Sequence, residues 1–333
     1  MGKQSYLSKY RTELMGISAL GVLMTHAPYM DPCPGWLQRV FSYGGAAVYI
    51  FMFLSGMGLY FSASSKDDSS FSLADFYRRR LTRVMLPYLL IGGIWYGITC
   101  LLLERNFWMF LYELSTISFW IEYGSAWFVA ALLPIYLVYP FYFRWVENGR
   151  RGCRTLVALV CVLAGTSAIY MLAPEERYDN LSLVLNSLWV FVIGHYYGKK
   201  VKAGSNLTEF LVYFVIIFLT VRLVPALEIC LPSQLMLYAA EGLLVMVVAA
   251  LVLGYLRCEI LCRILRWFGK HSLELYLTNL FLIRAESYFG FADYAVGVRA
   301  YVQYGMILLL GIALSAMFHP LNNRLSKFVL NRS

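Results

Sequence analysis

The chain has 333 residues, of which 60% are hydrophobic and 14% charged, and it carries a formal net charge of +9. A water-soluble domain is nearer half apolar and a quarter charged, so a single aqueous globule is excluded. The basic excess does not indicate a nucleic-acid partner, because it is spread over alternate loops between apolar blocks. Ten such blocks are long enough to cross a bilayer, at roughly 12–30, 43–63, 83–103, 124–143, 155–173, 181–198, 207–225, 234–256, 268–288 and 301–320. The first has no small-residue cleavage site and is read as a retained helix. Between the third and fourth, the stretch 106–122 is aromatic, amphiphilic and short, which predicts an interfacial segment. No linker, repeat or soluble segment breaks the pattern. The expectation is one all-α, polytopic membrane domain over 1–333, with no appended soluble domain.

Charge sets the expected orientation. On this count of spans, 22 of the 28 basic residues fall in one set of alternate loops and 6 in the other. Basic loops stay in the cytoplasm, so both termini are placed there, in a multi-pass protein of the cell (inner) membrane. Adding or removing one span would scramble that alternation. Acidic residues mark the outer loops, with Asp31 in the turn 31–35 and Glu175, Glu176 and Asp179 around Arg177. The seven cysteines are odd in number, mostly in or beside apolar blocks, and lack the spacing of a metal site or disulfide framework.

Four places carry chemistry. His26 lies 15 residues beyond Arg11, about 22 Å along a helix and so in the outer half of the bilayer. An ionisable group inside a membrane marks a functional site by default, and imidazole titrates near neutrality. The alternative is a histidine at a helix end, satisfied by a carbonyl or water. Second, Arg78, Arg79, Arg80 and Arg83 gather at the cytoplasmic mouth of the third span, before Pro87. Arg80 and Arg83 share a helix face. Guanidinium groups grip phosphates bidentately, which suits a phosphorylated donor such as a coenzyme. Contact with anionic lipid is the other reading. Third, Ser55, Gly56 and Gly58 form a smooth patch for helix packing or close approach of a ligand. Fourth, Glu274, Tyr276 and Asn279 bring polar groups into the ninth span, and Glu241 does so in the eighth. Glu241 is a candidate to orient His26 or to pair with an arginine. His195, His271 and His319 fall near cytoplasmic helix ends and are given small roles.

Taken in order, these segments resemble the acyltransferase 3 family. They are a helix ending in His26, the Phe-rich Phe-x-x-x-Ser-Gly of Phe51 to Gly56, and the Arg-x-x-Arg of Arg80 to Arg83 with Pro87. Then come Trp127-Phe128 with Tyr136, the Phe-x-x-Gly of Phe191 to Gly194, and Gly-x-x-Ser-Leu-Glu-x-Tyr-Leu from Gly269 to Leu277. The resemblance implies a membrane O-acyltransferase that uses acetyl-CoA from the cytoplasm, with no metal. It implies His26 as the catalytic residue and Arg80 and Arg83, helped by Arg78 and Arg79, as the donor site.

Three positions depart from the family pattern. Met15 stands where an arginine is common, with Arg11 one turn earlier as a substitute. Ser187 replaces another arginine, and Asn279 stands where histidine is frequent. Arg11, Glu241 and Asn279 are therefore carried as supporting candidates. The expected function is transfer of an acetyl group to a hydroxyl of a surface or exported glycan, or its lipid-linked precursor. The partners are that acceptor and membrane lipids, with no nucleic acid. The alternative class is a transporter or flippase of an anionic solute or lipid, which intramembrane His and Glu and a basic mouth would also suit.

Overall fold

The computed structural model describes residues 5–26, 41, 43–64, 72–122, 126–172, 175–203, parts of 211–219, 233–291 and 298–331. Every element of more than a turn among the described residues is a helix. In chain order these are α1 (Tyr6–Lys9), α2 (Arg11–Thr25), α3 (Ala46–Ala63), α4 (Leu73–Tyr96), α5 (Phe107–Leu114), α6 (Ile117–Glu122) and α7 (Trp127–Glu147). They continue with α8 (Arg151–Leu172), α9 (Glu175–Lys202), α10 (Ser233–Leu256), α11 (Glu259–Lys270), α12 (Ser272–Tyr288) and α13 (Val298–Asn331).

Among the described residues, seven helical stretches are long and apolar enough to cross a membrane: Ala46–Ala63, Leu73–Leu103, Trp127–Glu147, Arg151–Leu172, Leu181–Lys202, Met236–Leu256 and Arg299–Asn331. Seven of the ten blocks of the sequence are among these. Of the others, the described part of the first forms α2 with 15 residues, and the ninth forms α12 with 17. The block 207–225 lies mostly outside the described residues, as do the 31–35 turn, Cys33 and Cys230.

Two boundaries, and the place of the helix irregularity expected at Pro87, differ from the sequence reading. The third block begins at Leu73, ten residues early, because Ser72 caps the helix by accepting from the Asp75 amide at 3.3 Å. The arginine cluster lies within this helix, with Arg80 and Arg83 one turn apart as the sequence spacing implied. Pro87 leaves α4 unbroken, and the irregularity comes later, as a π-helical stretch at Gly97–Leu103. The block 268–288 is divided at His271. Gly269 and Lys270 end α11, whose buried Cys262, Leu265 and Gly269 recur at helical spacing opposite exposed Glu259, Arg263 and Lys270. Its charges had disguised this amphipathic helix as a loop.

The chain divides into two compact units. The first comprises 1–21, 43–71 and 139–270. Its core is built on glycine contacts. A Cβ on Gly56 would lie 2.2 Å from the Phe191 carbonyl oxygen, and one on Gly194 would lie 2.2 Å from that of Phe53. So α3 and α9 meet backbone to backbone at a pair of glycines. The same occurs where α2 meets α11. A Cβ on Gly16 would sit 2.0 Å from the Leu265 oxygen, and one on Gly269 would sit 1.9 Å from that of Thr12. The Phe-x-x-x-Ser-Gly and Phe-x-x-Gly segments are therefore two halves of one helix crossing.

Polar clamps reinforce this unit. Arg151 donates to the carbonyls of His195 at 3.1 Å and Tyr196 at 2.8 Å, and pairs with Glu147 at 2.9 Å. Arg266 on α11 holds the buried Glu13 carboxylate of α2 at 2.6 Å. That bond pushes the Arg266 guanidinium further above its usual range. Removing the guanidinium strands a buried carboxylate. Arg266 is half exposed, so the expected cost of Arg266→Ala is only about 1–2 kcal/mol. Thermal unfolding in detergent checks it, and Glu13→Gln on top of Arg266→Ala should recover most of the loss.

The second unit comprises 22–42, 72–138 and 271–333. Here α12 runs parallel to α4. Gly92 faces Phe281 and Tyr96 receives a hydrogen bond from Arg284 at 3.4 Å. It runs antiparallel to α13, with Thr278 donating to the Gly311 carbonyl at 3.1 Å and Gln303 to Glu286. Between α4 and α7, the 106–122 stretch forms the short helices α5 and α6, with Trp108, Ile117, Trp120 and Ile121 exposed.

Candidate active site

The last turn of α2 carries His26. Carbonyls at a helix C-terminus lack intrahelical partners. The imidazole takes one, its Nδ1–H donating to the Val22 oxygen at 2.8 Å, while the His26 amide donates to Leu23 O at 3.2 Å. A backbone carbonyl accepts only from N–H, so Nδ1 keeps a proton and the neutral ring presents its lone pair at Nε2. The carbonyl contact foreseen as the structural alternative is present, and it is also what prepares the ring as a base. Tyr304 of α13 donates to the same Leu23 oxygen and pins this turn. Beside Tyr304, within hydrogen-bonding reach of its hydroxyl, lies Asn279 of α12, 2% exposed.

The arginines sit on the first turns of α4. Asp75 draws two of them back along the helix, lying 3.8 Å from Arg78 and 3.8 Å from Arg79. Arg80 is half-buried and Arg83 exposed, one turn apart on one face. The helix registers locate them relative to His26. Gln303 contacts Glu286, which places Tyr304 level with about position 97 of α4. Arg83 is 14 residues earlier, about 21 Å along the axis. The histidine turn and the Arg80–Arg83 pair thus lie toward opposite ends of the second unit.

Other candidates fall elsewhere. Arg11 belongs to the first unit, where its Nη2 donates to Leu54 O at 3.3 Å and Gly58 makes room for the guanidinium. Gly56 serves the helix crossing. Glu241 is half-buried on α10 in the first unit, whereas His26 is in the second. Phe128 packs its ring on Tyr276 at 5.9 Å. His195 is fully buried among Tyr60, Tyr139, Tyr142 and Phe143, with Nδ1 at 3.1 Å from the Tyr139 hydroxyl, a structural role.

Two features escaped the sequence. One is Tyr304, which nothing distinguishes among 26 tyrosines. The other is a polar cluster at the arginine end of the unit. Glu274, 5% exposed, accepts from His319 Nδ1 at 3.1 Å and Asn322 Nδ2 at 3.0 Å. The rings of His271 and His319 lie 4.1 Å apart. The i, i+3 spacing of His271 and Glu274 was a signal, but their partners are some 45 residues away. Among the described residues, no group of three His, Cys, Asp or Glu side chains could hold a metal.

A helical chain with seven apolar stretches of membrane length is a multi-pass membrane protein. The family model described as an acyltransferase domain matches residues 14–328, and the chain belongs to this acyltransferase 3 family. It is an acyltransferase. Comparison with curated proteins and with solved structures finds no match.

Proposed function

We propose that this acyltransferase moves an acetyl group from acetyl-CoA to a hydroxyl of a surface or exported glycan, or of its lipid-linked precursor. It does so in the cell membrane, on ten spans with both termini cytoplasmic. The observation that supports the reading is the Nδ1–H to Val22 hydrogen bond, which leaves Nε2 of His26 available as a base. In the reaction Nε2 takes the acceptor hydroxyl proton as the oxygen attacks the thioester carbon. The new C–O bond forms, the C–S bond breaks, and the imidazolium returns the proton to the departing thiolate. General-base catalysis of this kind is worth about 10²–10⁴-fold.

The donor's phosphates are assigned to Arg80 and Arg83, with Arg78 and Arg79 close by. The arginines lie at the other end of the unit from His26, and a long pantetheine arm suits that separation. Arg11 and Glu241 support the first unit.

The test is transfer of isotope-labelled acetyl groups to alkali-labile esters of surface glycans and lipids in the native host. Label present in wild type and absent in a deletion strain supports acetyl transfer, and the labelled product names the acceptor. Identical labelling in the two strains sinks the acetyl assignment. Arg80→Ala/Arg83→Ala is expected to lower labelling at least tenfold, since each charge-assisted hydrogen bond contributes about 1.5–3 kcal/mol. Coenzyme A binding to the purified protein should fall by a similar factor.

A further inference from the structure

The helix α11 has three faces. Glu259, Arg263, Arg266 and Lys270 are four, three and four residues apart, so all four charges share one narrow stripe. A second face buries Cys262, Leu265 and Gly269, and meets α2 at Gly16. The third carries Ile260 and Ile264, 71% and 49% exposed, with the half-buried Trp267 one turn further on. That third face is apolar and open.

The packing of α11 fixes its depth. The membrane-length stretch of α10 ends at Leu256, and Arg257, with φ at 46°, turns the chain there. Cys262 and Leu265 then pack with Leu253 of α10 and with Tyr10. So α11 lies level with the last turn of α10, at the rim of the apolar zone. The exposed side of α10 is itself apolar, with Val245, Val248, Val252 and Tyr255 three or four residues apart on one face. That stripe continues through exposed Leu256 onto Ile260. A surface continuous with the outer side of a membrane helix has lipid as its neighbour. Charge agrees with this. Arg263 lies 3.2 Å from Glu259, and Arg266 lies 2.6 Å from Glu13. Arg257 and Lys270 have no such carboxylate among the described residues. They stand at the two ends of α11, about 18 Å apart. Basic groups so placed are drawn to anionic headgroups. A charged stripe beside a broad apolar face is the pattern of a helix lying in the plane of a membrane surface.

We infer that α11 is an in-plane interfacial helix, with Ile260 and Ile264 among acyl chains and Arg257 and Lys270 on the phosphates of anionic lipids. On the topology proposed above, the leaflet is the cytoplasmic one. The contact does not depend on the acyl-transfer chemistry. It bears on it, because α11 grips α2 through the Gly16–Gly269 crossing and the Arg266–Glu13 bond. The helix whose last turn leads to His26 is thereby tied to the membrane surface.

The test uses the full-length protein in vesicles of phosphatidylcholine and phosphatidylglycerol. Its native cysteines are replaced by serine, and Ile264→Cys or Arg263→Cys is labelled with an environment-sensitive fluorophore. The Ile264→Cys label should be quenched by lipids brominated on their acyl chains and be shielded several-fold from aqueous iodide. The Arg263→Cys label should show the reverse. Equal iodide quenching at the two positions overturns the inference. So does shielding of the Ile264→Cys label from both quenchers, which would put protein, such as a second copy of this chain, on that face. A second measurement keeps the native cysteines. Ile260→Asn/Ile264→Asn should lower the melting temperature in these vesicles by several degrees, because polar groups then enter lipid. A water-facing helix predicts no loss. Arg257→Gln/Lys270→Gln should shrink the extra thermal stability that phosphatidylglycerol confers over phosphatidylcholine alone. An unchanged difference between the two lipids overturns the headgroup contact.

Discussion

His26→Gln is expected to cut acetyl labelling by about 10²–10⁴-fold while the protein accumulates normally in the membrane. Glutamine has an amide that can donate to the Val22 carbonyl, as Nδ1–H does at 2.8 Å. It has no lone pair of comparable basicity, so the turn is kept and the base is lost. Coenzyme A binding should be nearly unchanged, because the Arg80–Arg83 pair is about 21 Å distant along the unit. That split between binding and turnover is diagnostic. If the glutamine enzyme labels its acceptor at the wild-type rate, His26 is not the base. If the protein disappears from the membrane, His26→Asn provides a second variant of the same logic.

The second large effect is on folding. Gly56→Ala and Gly194→Ala each place a methyl 2.2 Å from a carbonyl oxygen of the opposing helix. Neither neighbour is a flexible side chain that can turn away, so α3 and α9 must separate along the whole crossing. Overpacking in a close-packed core costs typically 1–3 kcal/mol and more where backbone must move, so about 3 kcal/mol is expected for each. Melting temperature and the yield of detergent-stable protein are the readouts. Gly93→Ala is the control, since a Cβ there meets nothing within 4 Å. Equal stability of Gly56→Ala and Gly93→Ala would refute the tight crossing.

The sequence was most legible where physics is one-dimensional. Long apolar blocks announced the membrane helices, and six short motifs in order announced the family. The short helical break at 106–122 and the packing use of Gly56 were also readable. What was hidden depends on partners remote in the chain. Gly56 needs Phe191, Glu274 needs His319, and Leu23 needs Tyr304, so no local window contains the information. Boundaries were hidden for a different reason. Hydropathy cannot see that Ser72 caps a helix through a charged segment, or that α11 buries only Cys262, Leu265 and Gly269 beneath its charges.

The helices also differ in how much of each is enclosed. In the membrane-length window of α3, 72% of residues are buried, but in that of α8 only 11% are. A helix wrapped in protein is held at almost every position by a neighbour of fixed shape. A helix bathed in lipid is held mainly by its length and its greasiness. Over evolutionary time α3 should therefore change slowly, and with compensating changes on α9. The exposed positions of α8 should drift freely among leucine, valine, isoleucine and alanine, while Arg151 at its start stays put. Comparing substitution rates along the two helices in related chains would expose that difference without any knowledge of the chemistry.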